Sequence, residues 1–274
     1  MNNPIFIIGA PRSGTNILRD IITSSSDFLT WDCDEINLVW LYDNFNRSSD
    51  RFTKNHLTPK KIKFINKQFS KINKTNKNKL IVEKTCANSL RIDFIDGIFD
   101  NAKFIFIYRN GMDCISSTLI KRKTKFNLSY SLKKARYIPV SLLLKYFFYS
   151  KIFNKPESAS EWGIKTGIKT NNILDDSINI WKESIRHTLG DLNNIDAGRV
   201  YKIKYENLVS SPVEEMQKMF STMFKKNLPD TTKTYINKNV FSTSLNKSKT
   251  DLDSDKYKYI KTKIINELKL LNYE

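Results

Sequence analysis

Residues Pro4 to Asn16 read PIFIIGAPRSGTN, and this stretch decides the fold class. Pro4 to Ile8 is a short apolar run that suits a buried strand. Gly9 and Gly14 bracket a tight loop, and Thr15, Asn16 and Ile17 open a helical pattern. Strand, glycine loop and helix together cradle an anion, because loop amides converge at the positive end of the helix. The spacing from Gly9 to Gly14 is that of a P-loop. Thr15 stands where nucleotide-triphosphate loops carry lysine, and Asn16 where they carry a magnesium-binding hydroxyl. Arg12 supplies the fixed charge instead, and an amide is a poor magnesium ligand. The loop therefore suits a phosphate that arrives without a metal. The rival reading, an ordinary turn, leaves the flanking strand and helix unexplained.

The chain has 274 residues, which suits one α/β domain over 1–274 with room for a full core. Cys33, Cys86 and Cys114 form no pattern, which argues against a disulfide framework and for a reducing, cytoplasmic compartment. A strand begins almost at once, so the reading includes no leader, and no apolar run approaches 18 residues. The formal net charge is +18, with 46 Lys and Arg against 28 Asp and Glu. Such a surface can attract polyanions or an acidic membrane. It can also be background in a chain rich in Lys, Asn and Ile. No zinc-finger spacing, aromatic ribonucleoprotein motif or basic heptad is present, so nucleic acid is not an expected partner. The composition reads as background plus an anionic ligand.

Strand and helix patterns alternate along the chain, which implies a parallel sheet flanked by helices. Helices are expected at Thr15 to Ser25, Ile36 to Phe45, Pro59 to Ile72 with Thr58 as cap, Asn88 to Phe99 and Met112 to Lys121. Later ones are expected at Pro212 to Phe224, with proline in the first turn, and at Asp255 to Leu271. Strands are expected at Leu80 to Glu83, Lys103 to Tyr108 and Val200 to Lys204. Ser129 to Phe153 is aromatic, basic and amphipathic. It reads as a helix on the core, with peripheral membrane contact or cover over an acceptor site as alternatives.

The second informative segment is FIFIYRNGMDCISSTLIK, Phe104 to Lys121. Arg109 falls at the end of the best strand, where α/β folds place ligands. Ser117 lies in the following helix, and Lys121 is one turn beyond on the same face. Arginine supplies charge and fork geometry, and serine a further donor. Two separate phosphate sites are expected, one at Arg12 to Asn16 and one at Arg109 and Ser117.

GAPRSGTN followed by RNGMDCISS resembles the 5′- and 3′-phosphate motifs of sulfotransferases that use 3′-phosphoadenosine 5′-phosphosulfate (PAPS). YENLVSSP, Tyr205 to Pro212, resembles the family's YEDL-x-x-x-P segment. Glu83-Lys84-Thr85 resembles its EKTP segment, with Cys86 in place of proline. The ending LKLLNY resembles a frequent LxxLGY terminus. The resemblance covers nearly the whole chain and implies a P-loop-containing parallel sheet with helical insertions. It implies that Arg12, Ser13, Gly14, Thr15 and Asn16 hold the 5′-phosphosulfate, and Arg109, Ser117 and Lys121 the 3′-phosphate. Tyr205 would pack near the adenine and Lys84 beside the transferred group. In the loop before the last helix Ser244, Lys247 and Lys249 are candidates, with Lys249 carried forward.

For the general base the resemblance offers two branches. One uses histidine, but His56 and His187 fit no family position. The carboxylate-using branch places a glutamate after the P-loop helix, and here the segment is WDCDEIN, Trp31 to Asn37. Glu35 is the expected base, with Asp32 and Asp34 as alternatives of register. The competing role for this acidic trio is helix capping, for which Asp34 is well placed. Arg12 and Lys84 would stabilise charge on the leaving oxygen. Glu206 reads as a structural hydrogen-bonder and Trp162 as core. The expected enzyme is a bacterial, cytoplasmic, PAPS-dependent sulfotransferase that needs no metal and releases 3′-phosphoadenosine 5′-phosphate (PAP). Its expected acceptor is a carbohydrate or glycolipid-like hydroxyl, with protein tyrosine second. A P-loop kinase would need the missing lysine and hydroxyl, and a basic polyanion-binding adaptor would not need Arg109 with Ser117.

Overall fold

The computed structural model describes residues 3–44, 47–72, 78–122 and 164–274. The strands are β1 (Ile5–Ile8), β2 (Phe28–Leu29), β3 (Leu80–Lys84), β4 (Lys103–Tyr108) and β5 (Val200–Lys204). They form one sheet in the order β2-β3-β1-β4-β5, and every pairing is parallel. A parallel sheet is covered on both faces, so its central strands carry unbroken apolar runs. Side chains alternate across the pleat. Phe6, Ile8, Phe104 and Phe106 enter one core, which also holds Trp40, Phe69, Phe94 and Trp181. Ile5, Ile7, Ile105 and Ile107 enter a second core with Leu18, Ile22, Met216 and Phe220. Phe6 is the aromatic hub of the first, with ring centroids 5.8 Å from both Phe104 and Trp40.

The helices labelled among the described residues are α1 (Thr15–Thr23), α2 (Asn37–Trp40), α3 (Pro59–Ile72), α4 (Ile92–Asp96), α5 (Gly111–Arg122), α6 (Ile173–Leu192), α7 (Tyr205–Ser210), α8 (Pro212–Phe224), α9 (Asp230–Asn239), α10 (Ser248–Asp251) and α11 (Ser254–Leu270). The Thr58 hydroxyl accepts from the Lys61 amide at 3.3 Å, as a cap of α3 does. Two expected helices differ. The stretch from Ile36 is helical only over α2, followed by a turn in which Asp43 is left-handed at φ 63°. The stretch from Asn88 is split into a 3₁₀ turn at Cys86–Leu90 and the short α4, because Arg91 leaves helical geometry at φ −147°. Arg91 is fully buried, and its guanidinium donates to the Asn37 side chain and the Ala87 carbonyl. Satisfying those donors outweighs helix continuity there. Ser129 to Phe153 and Trp162 lie outside the described residues.

Register gathers the functional segments at one edge. Ile7 pairs with Lys84 and Ile8 with Phe106, while Tyr108 pairs with Lys204. The loop after β1, the end of β3, Arg109 after β4 and Tyr205 after β5 therefore share the carboxyl ends of the strands. Gly14 is what lets them meet. Its φ is +96°, and a Cβ there would lie 2.3 Å from Cδ2 of Tyr205. We expect Gly14→Ala to lose about 1–2 kcal/mol from the left-handed backbone alone, with the ring clash added. Urea unfolding would show this as a lower midpoint at unchanged slope.

Candidate active site

The loop between β1 and α1 is wound by its own backbone. Arg12 is left-handed at φ 69°, and the Ser13 amide and hydroxyl both donate to the Ala10 carbonyl, at 3.2 and 2.7 Å. Ser13 is thus spent on the turn. No side chain caps the first turn of α1, so its amides are offered at the positive helix end. Thr15 is buried, with Oγ1 3.7 Å from the Cys86 sulfur. Asn16 donates to Asp34 Oδ2 at 3.3 Å, which ties the loop to the acidic segment.

That segment separates its three carboxylates. Asp32 is exposed. Asp34 is paired with Arg19 at 2.7 Å, and although burial opposes ionisation, Lys84 and Arg19 hold its carboxyl below the usual range. It does not cap α2. Glu35 accepts from Lys84 Nζ at 3.0 Å and from the Cys86 amide at 3.3 Å, both on Oε1. A proline at 86 has no amide to give. Lys84 is almost wholly buried, which disfavours its charge, but Glu35 and the other negative neighbours outweigh burial and raise its pKa above the ordinary lysine value. Lys84 is therefore a committed cation. Burial pushes the Cys86 thiol up to about 12, so it is not a thiolate at neutral pH.

On the other side of the loop, Arg109 is 6% exposed. Its guanidinium stacks on the Tyr205 ring at 4.6 Å, donates to the carbonyls of Arg12 (3.2 Å) and Ser244, and lies 3.5 Å from Asp113. Its Nε is buried and has no hydrogen-bond partner among the described residues. Asp113 in turn accepts the amides of Asn246 and Ser248 at 3.0 and 2.9 Å. The Tyr205 hydroxyl is 2.5 Å from the Ser244 hydroxyl. The loop before α10 is thus built onto Arg109 and Tyr205.

The structure joins what the sequence kept as two sites. Ser117 accepts from Arg12 Nε at 3.0 Å and is not bonded to Arg109. Arg12 can bridge them because its left-handed backbone turns the side chain toward α5. Tyr205 is buried between Gly14 and Arg109. Lys121 and Lys249 are exposed on α5 and α10. Glu206 accepts from the Asn110 amide at 3.1 Å and the Tyr273 hydroxyl at 2.6 Å, which makes it a structural acceptor. His56 is exposed and bonded to Thr53, while His187 pairs with Glu183 on α6, so neither faces Glu35. Asp113 and Arg19 were missed as organisers, while Ser244 was a candidate through the resemblance alone. Asp113 had a signal, since it lies inside the RNGMDCISS motif. Arg19 had none.

The family profile described as "Sulfotransferase family" matches residues 4–143, just over half of the chain. The chain belongs to the sulfotransferase family. It is a sulfuryl-transfer enzyme, and the family implies PAPS as donor and PAP as product. Solved structures agree in fold along nearly its whole length. The sulfotransferase domain from the curacin biosynthetic pathway superposes with a TM-score of 0.59 at 15% identity, covering 100% of this chain and 99% of that one. A sulfotransferase from Mycobacterium avium gives 0.61 at 10% identity, covering 99% and 77%. A mouse sulfotransferase solved in complex with PAP gives 0.51 at 13% identity, covering 98% and 85%. No curated protein sequence matches the chain. Among the described residues of this sulfotransferase, no cluster of His, Cys, Asp and Glu could hold a metal ion, and no helix is long and apolar enough to cross a membrane.

One buried carboxyl of the sulfotransferase gives a pH signature. Burial pushes Glu83 up to about 7, against hydrogen bonds from Thr85 and Trp40 that favour its ionised form. Unfolding returns it to the ordinary glutamate value near 4.5. Between these values the folded chain holds a proton that the unfolded chain has lost. Glu83 therefore favours folding at low pH and withdraws that support as pH rises through about 7. Unfolding free energies at pH 4.5–7 should fall less steeply with pH in Glu83→Gln than in the parent chain.

Proposed function

We propose that this sulfotransferase moves the sulfuryl group of PAPS to a hydroxyl of a carbohydrate or glycolipid-like acceptor, with Glu35 as general base. The observation that carries this reading is the contact path from Thr15 through Cys86 to Glu35 and Lys84. It sets a carboxylate and a committed cation beside the anion loop.

The site has the donor set for such a ligand. The uncapped amides of α1, the Arg12 guanidinium and the hydroxyls of Thr15 and Ser117 are hydrogen-bond donors grouped on one loop and its neighbour. Arg109, with its unpartnered buried Nε, is a further cationic donor. Arg12, Gly14, Thr15 and Asn16 would hold the 5′ group, and Arg109, Ser117 and Lys121 the 3′-phosphate. Tyr205, on which the Arg109 guanidinium stacks, would pack near the adenine, and Lys249 on α10 is the candidate cation before the last helix. Ser13 serves the turn. PAPS, when bound, supplies an activated sulfuryl group on a phosphate leaving group.

The chain's own residues then have distinct tasks. The Glu35 carboxylate takes the proton of the acceptor hydroxyl as the hydroxyl oxygen attacks sulfur. Lys84, charged and buried, orients that carboxylate and offers positive charge where the leaving oxygen develops negative charge. Arg12 adds a second cation. Cys86 presents its amide to the carboxylate and stays a thiol.

A carboxylate rather than a histidine beside the loop supports the carbohydrate branch, with protein tyrosine as the second acceptor class. Cys33, Cys86 and Cys114 are buried and form no disulfide, which supports a cytoplasmic setting. The full-length likeness to solved sulfotransferases supports a single domain over 1–274. We read no nucleic-acid role in the basic surface.

PAP should stabilise the protein by about 2.7 kcal/mol at 100 times its dissociation constant, with or without a magnesium chelator. A thermal shift that requires magnesium would count against the donor assignment. Glu35→Gln should lower turnover by ~10²–10⁴-fold and leave PAP affinity intact. Sulfate release from PAPS, with water as acceptor, reads this before the natural acceptor is identified. Asp34→Asn and Asp32→Asn serve as comparisons. A dead aspartate variant beside an active Glu35→Gln would move the base to that aspartate.

A further inference from the structure

Glu35 sits just before a helix of four residues, α2, which is too short to hold its own geometry. Something else must fix it. The end of β3 does so twice, because successive residues of a strand face opposite ways. Lys84 reaches the Glu35 carboxylate directly. Glu83, on the other face, reaches the backbone that carries it.

Glu83 is fully buried, yet both of its oxygens are used. Oε1 accepts from the Thr85 hydroxyl at 2.5 Å and lies 3.5 Å from the Trp40 indole nitrogen. Oε2 accepts from the Asn88 amide at 2.6 Å. The Thr85 oxygen also accepts the Ile36 amide at 3.2 Å. Ile36 directly follows Glu35, and Trp40 ends α2. One carboxyl therefore grips both ends of the short segment behind Glu35. An apolar side chain would fill that volume without the cost of burying a carboxyl. The polar network therefore needs a reason beyond packing.

We propose that Glu83 and Thr85 are positioning residues that set the place of Glu35 for proton transfer. They touch neither donor nor acceptor. Their effect runs through the Ile36 amide and α2, and it rests on the reading of Glu35 as the base. A misplacement of about 1 Å at a reacting group can cost ~10²-fold in rate, so the effect belongs in turnover rather than in affinity.

The test compares Thr85→Val, Thr85→Ser and Glu83→Gln with the parent enzyme. Valine keeps the shape and removes the relay hydroxyl, whereas serine restores it. Glutamine keeps an acceptor for Thr85, and the Asn88 amide can turn to meet its new donor because Asn88 Oδ1 has no hydrogen-bond partner among the described residues. Thr85→Val should lower kcat for sulfate release from PAPS by ~10–100-fold, with KM and PAP affinity within about 3-fold of the parent. Thr85→Ser and Glu83→Gln should stay within about 3-fold in all three quantities, so that conservative replacement rescues the rate. The inference is overturned if Thr85→Val keeps its kcat, if its PAP affinity falls in step with kcat, or if serine fares no better than valine. Glu35→Gln in the same assay separates the two ideas. If it is inactive while Thr85→Val is active, only the positioning role fails; if it is active too, the base assignment fails with it.

Discussion

A charged ammonium buried as deeply as that of Lys84 needs a counter-charge, and in this chain that requirement organises the site. Lys84 stands at the end of β3 with almost no exposure, in register with Ile7 of β1. An unpaired cation there would cost several kcal/mol. Glu35 answers it, and to do so the segment after α1 must fold over the ends of the strands. That placement draws Asp34 onto Arg19 and Asn16, brings Cys86 against Thr15, and sets α2 above Glu83. A single ion pair thus links the anion loop, the second strand edge and the short helix into one body.

The opposite side of the loop obeys a different constraint, that of close approach. Gly14 gives up its side chain so that Tyr205 can lie against the loop, and Tyr205 gives Arg109 a face to stack on. Arg109 then closes the loop before α10, assisted by Asp113. The two sides meet at Arg12, whose backbone carbonyl belongs to Arg109 and whose side chain belongs to Ser117.

How much of this was legible in the sequence depended on range. β1 and β4 were readable because both faces are buried and the apolar runs are unbroken. The loop was readable because its glycines and arginine are neighbours. β2 was not, since two residues become a strand only by pairing with β3. The break at Arg91 was hidden because its partner, Asn37, lies 54 residues away. Glu35 and Lys84 came separately from family resemblance, and their pairing, across 49 residues, had no local pattern to reveal it. The joining of Arg12 to Ser117 was missed outright: each residue looked complete within its own motif, and only the left-handed turn at Arg12 directs one toward the other. Ser244 was a candidate through the resemblance, but its hold on Arg109 left no mark in the sequence because it is made by its carbonyl, which every residue has.

That last point bears on how far such a chain can drift. Arg109 holds Arg12 and Ser244 through main-chain oxygens, Asp113 holds Asn246 and Ser248 through main-chain nitrogens, and Glu206 holds the Asn110 nitrogen. Contacts of this kind constrain one partner's identity and leave the other free to mutate. A scaffold wired in this way can replace most of its letters and keep its shape, which accords with fold likeness to solved sulfotransferases at 10–15% identity. The anchors, and not the anchored, are where substitution should be costly over evolutionary time.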